Sequence, residues 1–226
     1  MTLTEISYMI KTMIREGKIV DDDTLDTRLI KDWIDLKREQ FISNKRSQNP
    51  NNRLHQSFYQ KLPIAVSVVD PVTDAGDYPY SDSTTQAYTI VKSDETIPDI
   101  LEDKSGPAIL TVESQDRMKL PFSYVDYDRL RFSGNGKFNS GLIFGSIRDN
   151  YLYFNHNTFF DTYTNVELRA IFQNPRDVTG FNDDTSEYPA NLALIEYIKN
   201  AIYDKDIRMF LNGQPDEQND ATGETN

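Results

Sequence analysis

Apolar residues open the chain at helical spacing: Ile6, Met9, Ile10, Met13 and Ile14 recur at i, i+3, i+4, i+7 and i+8, so one face of a helix is apolar. Thr2 and Glu5 precede that run at the spacing of a capping box, and Gly17 is expected to end the helix. Beyond the acidic turn Asp21 to Asp23, a second helix is predicted to begin between Thr24 and Thr27. It should run to about Lys45 and turn Leu29, Ile30, Trp33, Leu36 and Phe41 toward a partner. Asp23 and Asp26 suit its start, where anionic groups meet the positive end of the dipole. Two helices joined this closely should pack as an αα-hairpin, and the turn-forming stretch Ser47 to Asn52 closes the helical region.

From about Phe58 to Phe172 the pattern changes to short runs of Val, Ile, Tyr, Phe and Thr broken by Pro, Gly, Asp and Asn, the signature of a β-rich module. Strands are predicted at Ile64 to Val69, Ala108 to Val112, Leu142 to Ile147 and Val166 to Phe172. Thr85 to Ile100 carries a weaker signal, one strand followed by a loop through Pro98. Arg131 to Phe138 reads as two strands meeting at a glycine turn, and Arg148 to Asn150 as the turn between Leu142 to Ile147 and Tyr151 to Phe154. An antiparallel meander is the simplest sheet that fits. Pro189 then suits a first helical turn, and Leu192, Ile195, Ile198, Ile202 and Phe210 carry the helical period to about Leu211. Residues 213–226 hold four acidic groups and no basic one, too little apolar surface to order themselves. The expected class is therefore α+β: an N-terminal helical hairpin and a C-terminal helix packed with a central antiparallel β module, and an acidic tail that is disordered or partner-bound. The expected divisions are 1–57 (hairpin and basic linker), 58–175 (β-rich module), 176–212 (loop and C-terminal helix) and 213–226 (tail).

Charge sharpens this outline. The 226 residues contain 36 Asp and Glu against 24 Lys and Arg, a net −12. A nucleic-acid clamp is disfavoured, since such affinity comes mainly from neutralised phosphates. Residues 28–61 nevertheless hold eight basic groups against three acidic ones, +5, so the remainder sums to −12 − 5 = −17. Between identical copies, such opposite surfaces could set register. Arg38, Lys45 and Arg46 on the basic side, with Asp216 and Asp220 in the tail, are the candidate interface residues. The opening lacks the basic and apolar regions of a secretory signal, and no run approaches the roughly 20 apolar residues of a membrane span.

Catalytic chemistry finds little support. Without Cys there is no disulfide framework, thiolate metal cage or Cys nucleophile. The two histidines, His55 and His156, stand outside any zinc-binding spacing. Gly134-Asn-Gly-Lys137 fails as a phosphate loop because Arg131 and Phe138 occupy positions the motif reserves for Gly and for Ser or Thr. The acidic clusters Asp21 to Asp23, Asp126/Asp128 and Asp183-Asp184 lack the alternation of a calcium loop. The 13 Tyr and 12 Phe fit strand faces and subunit contacts. No catalytic residue, metal or cofactor is expected.

Several stretches together carry a resemblance. Thr2 to Tyr8 is followed by the acidic triplet and the basic helix; Tyr124-Val-Asp-Tyr-Asp-Arg-Leu-Arg131 leads into Phe132 to Asn139; Tyr151 to Phe154, Leu168 to Pro175, Tyr188-Pro-Ala-Asn191 and Gln214 to Asp220 follow. In this order they resemble a family of structural proteins of crAss-like bacteriophages. The family often carries a Cys in the apolar strand after the basic helix, whereas Leu62 to Val69 has none. The resemblance implies a head-to-tail connector of the virion, assembled in the bacterial cytoplasm. It would be an adaptor ring, commonly dodecameric, that docks on the portal, meets other neck or tail rings and continues the DNA channel without gripping DNA. It implies no enzymatic residue. The aromatic content also admits a carbohydrate- or receptor-binding β module of a tail appendage. That alternative needs exposed Trp or Tyr platforms, and Trp33 is expected to lie on a buried helical face.

Overall fold

In the computed structural model, residues 1–14, 26–48, 54–69, 90–103, 106–114, 122–130, 133, 142–155 and 164–207 are described. The chain divides into two compact units, one made of residues 1–51 and 182–226, the other of residues 52–181. The class is α+β, as the residue pattern implied.

The helical unit contains α1 (Leu3–Ile14), α2 (Thr27–Gln48) and α4 (Leu192–Ala201), the last continued by a π-helical stretch, Ile202–Ile207. The capping box forms as its spacing foretold: Thr2 Oγ1 accepts from Glu5 N at 3.2 Å and Glu5 Oε2 from Thr2 N at 3.0 Å. Asp26 starts α2, its side chain accepting from Arg28 N and its carbonyl from Ile30 N. Two expectations are corrected. Leu29 and Leu36 do not face inward but stand 36% and 45% exposed, while Trp33 is half-buried. The stripe that packs is Ile30, Ile34, Arg38 and Ile42, a four-residue ladder containing a charged side chain. Pro189 lies outside the C-terminal helix, because Asn191 is the residue whose side chain accepts from Leu194 N and caps α4. Gly17, Asp21 to Asp23, residues 208–211 and the tail lie outside the described residues.

The second unit carries β1 (Gln60–Val68), β2 (Ile90–Ser93), β3 (Glu102–Asp103), β4 (Gly106–Pro107), β5 (Ile109–Ser114), β6 (Ser123–Tyr124), the short helix α3 (Tyr127–Leu130), β7 (Phe144–Arg148), β8 (Tyr151–Asn155) and β9 (Asn165–Ala170). The hairpin at Asp149-Asn150 forms as predicted. Both residues have positive φ (50° and 60°), the backbone of a two-residue turn whose twist suits antiparallel strands, and Arg148 faces Tyr151 across it. The glycine hairpin expected over Arg131 to Phe138 lies, apart from Ser133, outside the described residues.

A simple meander does not form. The seven-stranded sheet runs β5-β9-β1-β2-β8-β7-β6, so the last strand inserts between β1 and β5, and β6 pairs in parallel with β7. The segment at β6 also curls the sheet: Phe122 N donates to Val112 O of β5 at 2.7 Å, and Ser123 N to Ile143 O beside β7 at 2.8 Å. One short segment thus bonds to both ends of the sheet, which removes much of its free edge. The enclosed face buries Leu62, Ile64, Val66, Phe122, Phe154 and Leu168, with the Phe122 and Phe154 rings edge to face at 5.1 Å. On the opposite face, Ile90, Phe144 and Tyr153 pack with Leu130 of α3.

Pro63 within β1 has a geometric reason. Val66 N bonds to Thr164 O on the β9 side, whereas Ala65 O accepts from Asp94 N on the β2 side. Because a strand's backbone groups alternate sides, Pro63 points with Ala65 toward the side that β2, beginning its ladder at Val66, does not reach. The missing N–H therefore breaks no bond to β9.

Gly145 sits against the closed core: a Cβ there would stand 2.9 Å from the Phe154 ring. Gly145→Ala is expected to destabilise the β unit by about 1–3 kcal/mol through overpacking. Urea unfolding followed by circular dichroism checks this. Trp33, the single tryptophan, reports on the helical unit and should keep its fluorescence midpoint.

Candidate assembly interface

The five candidate residues fall in three different settings. Arg38 is fully buried in the helical unit, so it is a core residue and its expected place on a partner-facing surface is corrected. Its Nε donates to Pro189 O at 3.0 Å, and Tyr188 donates its hydroxyl proton to Asp35 Oδ1 at 2.8 Å. Burial lowers the pKa of the guanidinium from its ordinary value, while Tyr188, Asp35 and Glu39 act to raise it. The group is thus a buried charge bonded to a backbone carbonyl with carboxylates in its field, an arrangement that fixes geometry more than it adds stability.

Around it, the segment preceding α4 is pinned to the first two helices. Thr4 N donates to Asp183 O at 3.1 Å, Lys31 Nζ lies 2.8 Å from Asp183 Oδ2, and Tyr188 N donates to Met1 O at 2.9 Å. Thr4 Oγ1 donates to Asp184 Oδ1. The Asp183-Asp184 cluster therefore satisfies helix-start donors and a lysine. It is a structural clasp.

Lys45 is exposed near the end of α2, where a cation complements the helix dipole. Its Nζ lies 4.9 Å from the centroid of the Phe41 ring, which in turn stands 4.9 Å from the ring of Tyr197 on α4. Tyr197 is 44% exposed, so this end of the helical unit presents a cation beside aromatic surface. Arg46 is half-buried next to it. Asp216 and Asp220 lie outside the described residues.

The β unit holds a feature that sequence reasoning missed. A groove of about 380 Å³ runs along β1 at Leu62 to Ala65 and is bordered by Asp94, Glu95 and Asp177, with no Lys or Arg among the described residues that line it. These acids come from two loops far apart in sequence, and only the register that stops β2 at Ser93 leaves the space open. Near the sheet end, Tyr124 lines a smaller groove of about 260 Å³. Burial first, then Asp126 and Glu102, raise its phenol pKa, which keeps it protonated near neutral pH and unfit as a base.

Neither groove gathers metal-binding chemistry: no group of three potential ligands among the described residues could hold an ion. His55, the histidine within the described residues, uses Nδ1 to cap the turn at Gln56–Phe58, accepting from Ser57 N. No described helix is long and apolar enough to cross a membrane.

Compared with known families, the sequence from residue 5 to residue 225 matches the family described as phage tail ring protein 2. The chain belongs to the phage tail ring protein 2 family. No curated protein matches it. This ring family of crAss-like phages makes the chain a virion component and suggests assembly into a ring in the tail, and it points to a non-enzymatic role. The matched span takes in both units of the ring protein and the acidic segment after α4.

The geometry separates two roles within one basic helix. Arg38→Ala should destabilise the helical unit by about 3–5 kcal/mol, because it leaves Asp35 and the Pro189 carbonyl without their buried cation. Lys45→Ala should leave the unit's stability in place, as expected of a surface change. Denaturation followed by Trp33 fluorescence checks both.

Proposed function

We propose that this ring protein is the adaptor of the head-to-tail junction: a ring, dodecameric in the family resemblance, that docks on the portal and continues its channel for DNA. The observation that carries this reading is the family match across nearly the whole chain, joined to a net charge of −12. A wall that lets DNA pass should not neutralise its phosphates, and an acidic lining avoids the counterion release that makes binding tight. Cyclic symmetry would then present one patch of each copy to a different patch of the next until the ring closes.

Lys45 and Arg46 on one side, with Asp216 and Asp220 on the other, are the interface residues of this reading. The tail would gain order on docking, in a neighbouring subunit or in the portal, as segments that fold on binding do. Assembly would take place in the host cytoplasm before the neck is completed. The carbohydrate-binding alternative needs an aromatic platform. The exposed tyrosines Tyr8, Tyr197 and Tyr203 lie on different helices or turns and form no ring–ring pair with one another among the described residues.

Size-exclusion chromatography with and without the portal protein tests the proposal. The chain alone is expected to elute as a monomer or weak oligomer and to shift into a portal-containing peak on mixing. Separate elution at micromolar concentrations would count against portal docking.

A further inference from the structure

The groove beside β1 has a chemistry of its own. Its three carboxylates, Asp94, Glu95 and Asp177, are exposed, and Asp94 and Glu95 make no side-chain ion pair among the described residues. Pro63 adds a carbonyl to this edge and no N–H, so the edge refuses an added strand while enriching the groove in acceptors. Pro63 and Ala65, exposed on β1, supply its apolar wall, backed by the buried Leu62 and Ile64. Acceptors beside an apolar wall suit a long side chain with an aliphatic stem and a donor-only head, which is Lys or Arg. A divalent ion is a poor occupant, because the carboxylates do not converge. At about 380 Å³ the space takes side-chain ends and excludes a helix.

We propose that this groove is the socket for the basic end of α2 from a second copy of the chain, with Lys45 of one protomer entering beside Asp94 and Glu95 of the next. Charge complementarity selects the occupant. Lys45 is exposed with no carboxylate partner among the described residues, and it belongs to the one stretch that carries +5 in a chain of −12. Each copy then offers one plug and one socket, the head-to-tail arrangement that a closed ring requires. The inference rests on the ring reading and adds the lateral contact that would set its register.

The cysteine-free chain permits a direct test. Lys45→Cys and Glu95→Cys variants of the full chain are mixed in equal amounts, with portal protein added, and oxidised mildly. A disulfide-linked dimer in the mixture, several-fold above either variant alone, is the expected result. In parallel, with portal protein present, Lys45→Glu should weaken multimer formation roughly tenfold in sedimentation velocity at low salt. Asp94→Lys/Glu95→Lys should do the same, and mixing the two reversed variants should restore association. Trp33 fluorescence verifies that the Lys45 variants are folded, and circular dichroism does so for the Asp94 and Glu95 variants. Wild-type multimers that tolerate both reversals and give no mixed dimer would overturn the socket while leaving the ring intact. A wild-type chain that forms no multimer with or without portal would overturn both.

Discussion

A single buried guanidinium determines how the two ends of this chain meet. Arg38 projects from the second helix into the core of the helical unit and binds the carbonyl of Pro189, some 150 residues later in sequence. Everything between residues 52 and 181 belongs to the other unit, so the chain leaves the helical unit, builds a complete sheet and returns to be clasped. A desolvated charge tolerates few alternative geometries, because each misplacement leaves it without its oxygens. The Tyr188–Asp35 bond and the Lys31–Asp183 pair repeat the same device around it. The return segment is thereby tied to the first two helices at several points, although it contains little regular structure.

The β unit solves a different problem. Seven short strands with several long connections would expose edges able to pair with other chains, and the segment at Phe122 bonds to both ends of the sheet instead. Pro63 protects the remaining gap along β1 by withholding a donor. A protein meant to associate through chosen surfaces benefits when accidental strand pairing is suppressed.

Local signals were legible in the sequence. The capping box, the Asp149-Asn150 hairpin, a strand around Ile64 to Val69 and the amphipathic first helix all follow from neighbours within a few positions, and they appear in the structure. What failed depends on residues distant in sequence. Leu29 and Leu36 read as buried because they are apolar, but the face that packs was decided by the Pro189 carbonyl and Tyr188, which no window around Arg38 contains. The insertion of β9 between β1 and β5 and the parallel pairing of β6 are likewise long-range choices. The acidic groove was invisible for the same reason: Asp94, Glu95 and Asp177 carry no shared motif until the sheet brings their loops together. Of the candidate residues, exposed Lys45 could be foreseen from its place near a helix end, whereas the burial of Arg38 could not.

Membership of a tail ring family, with a locally basic stretch in a chain of net −12, points to a protein that acts by packing. Electron cryomicroscopy of purified phage particles tests that account most directly. The account requires a closed ring of copies in the tail assembly whose density fits both the helical and the β unit of every subunit. Particles whose neck and tail contain no such ring, or in which this chain occurs as a single unpaired copy, would contradict it.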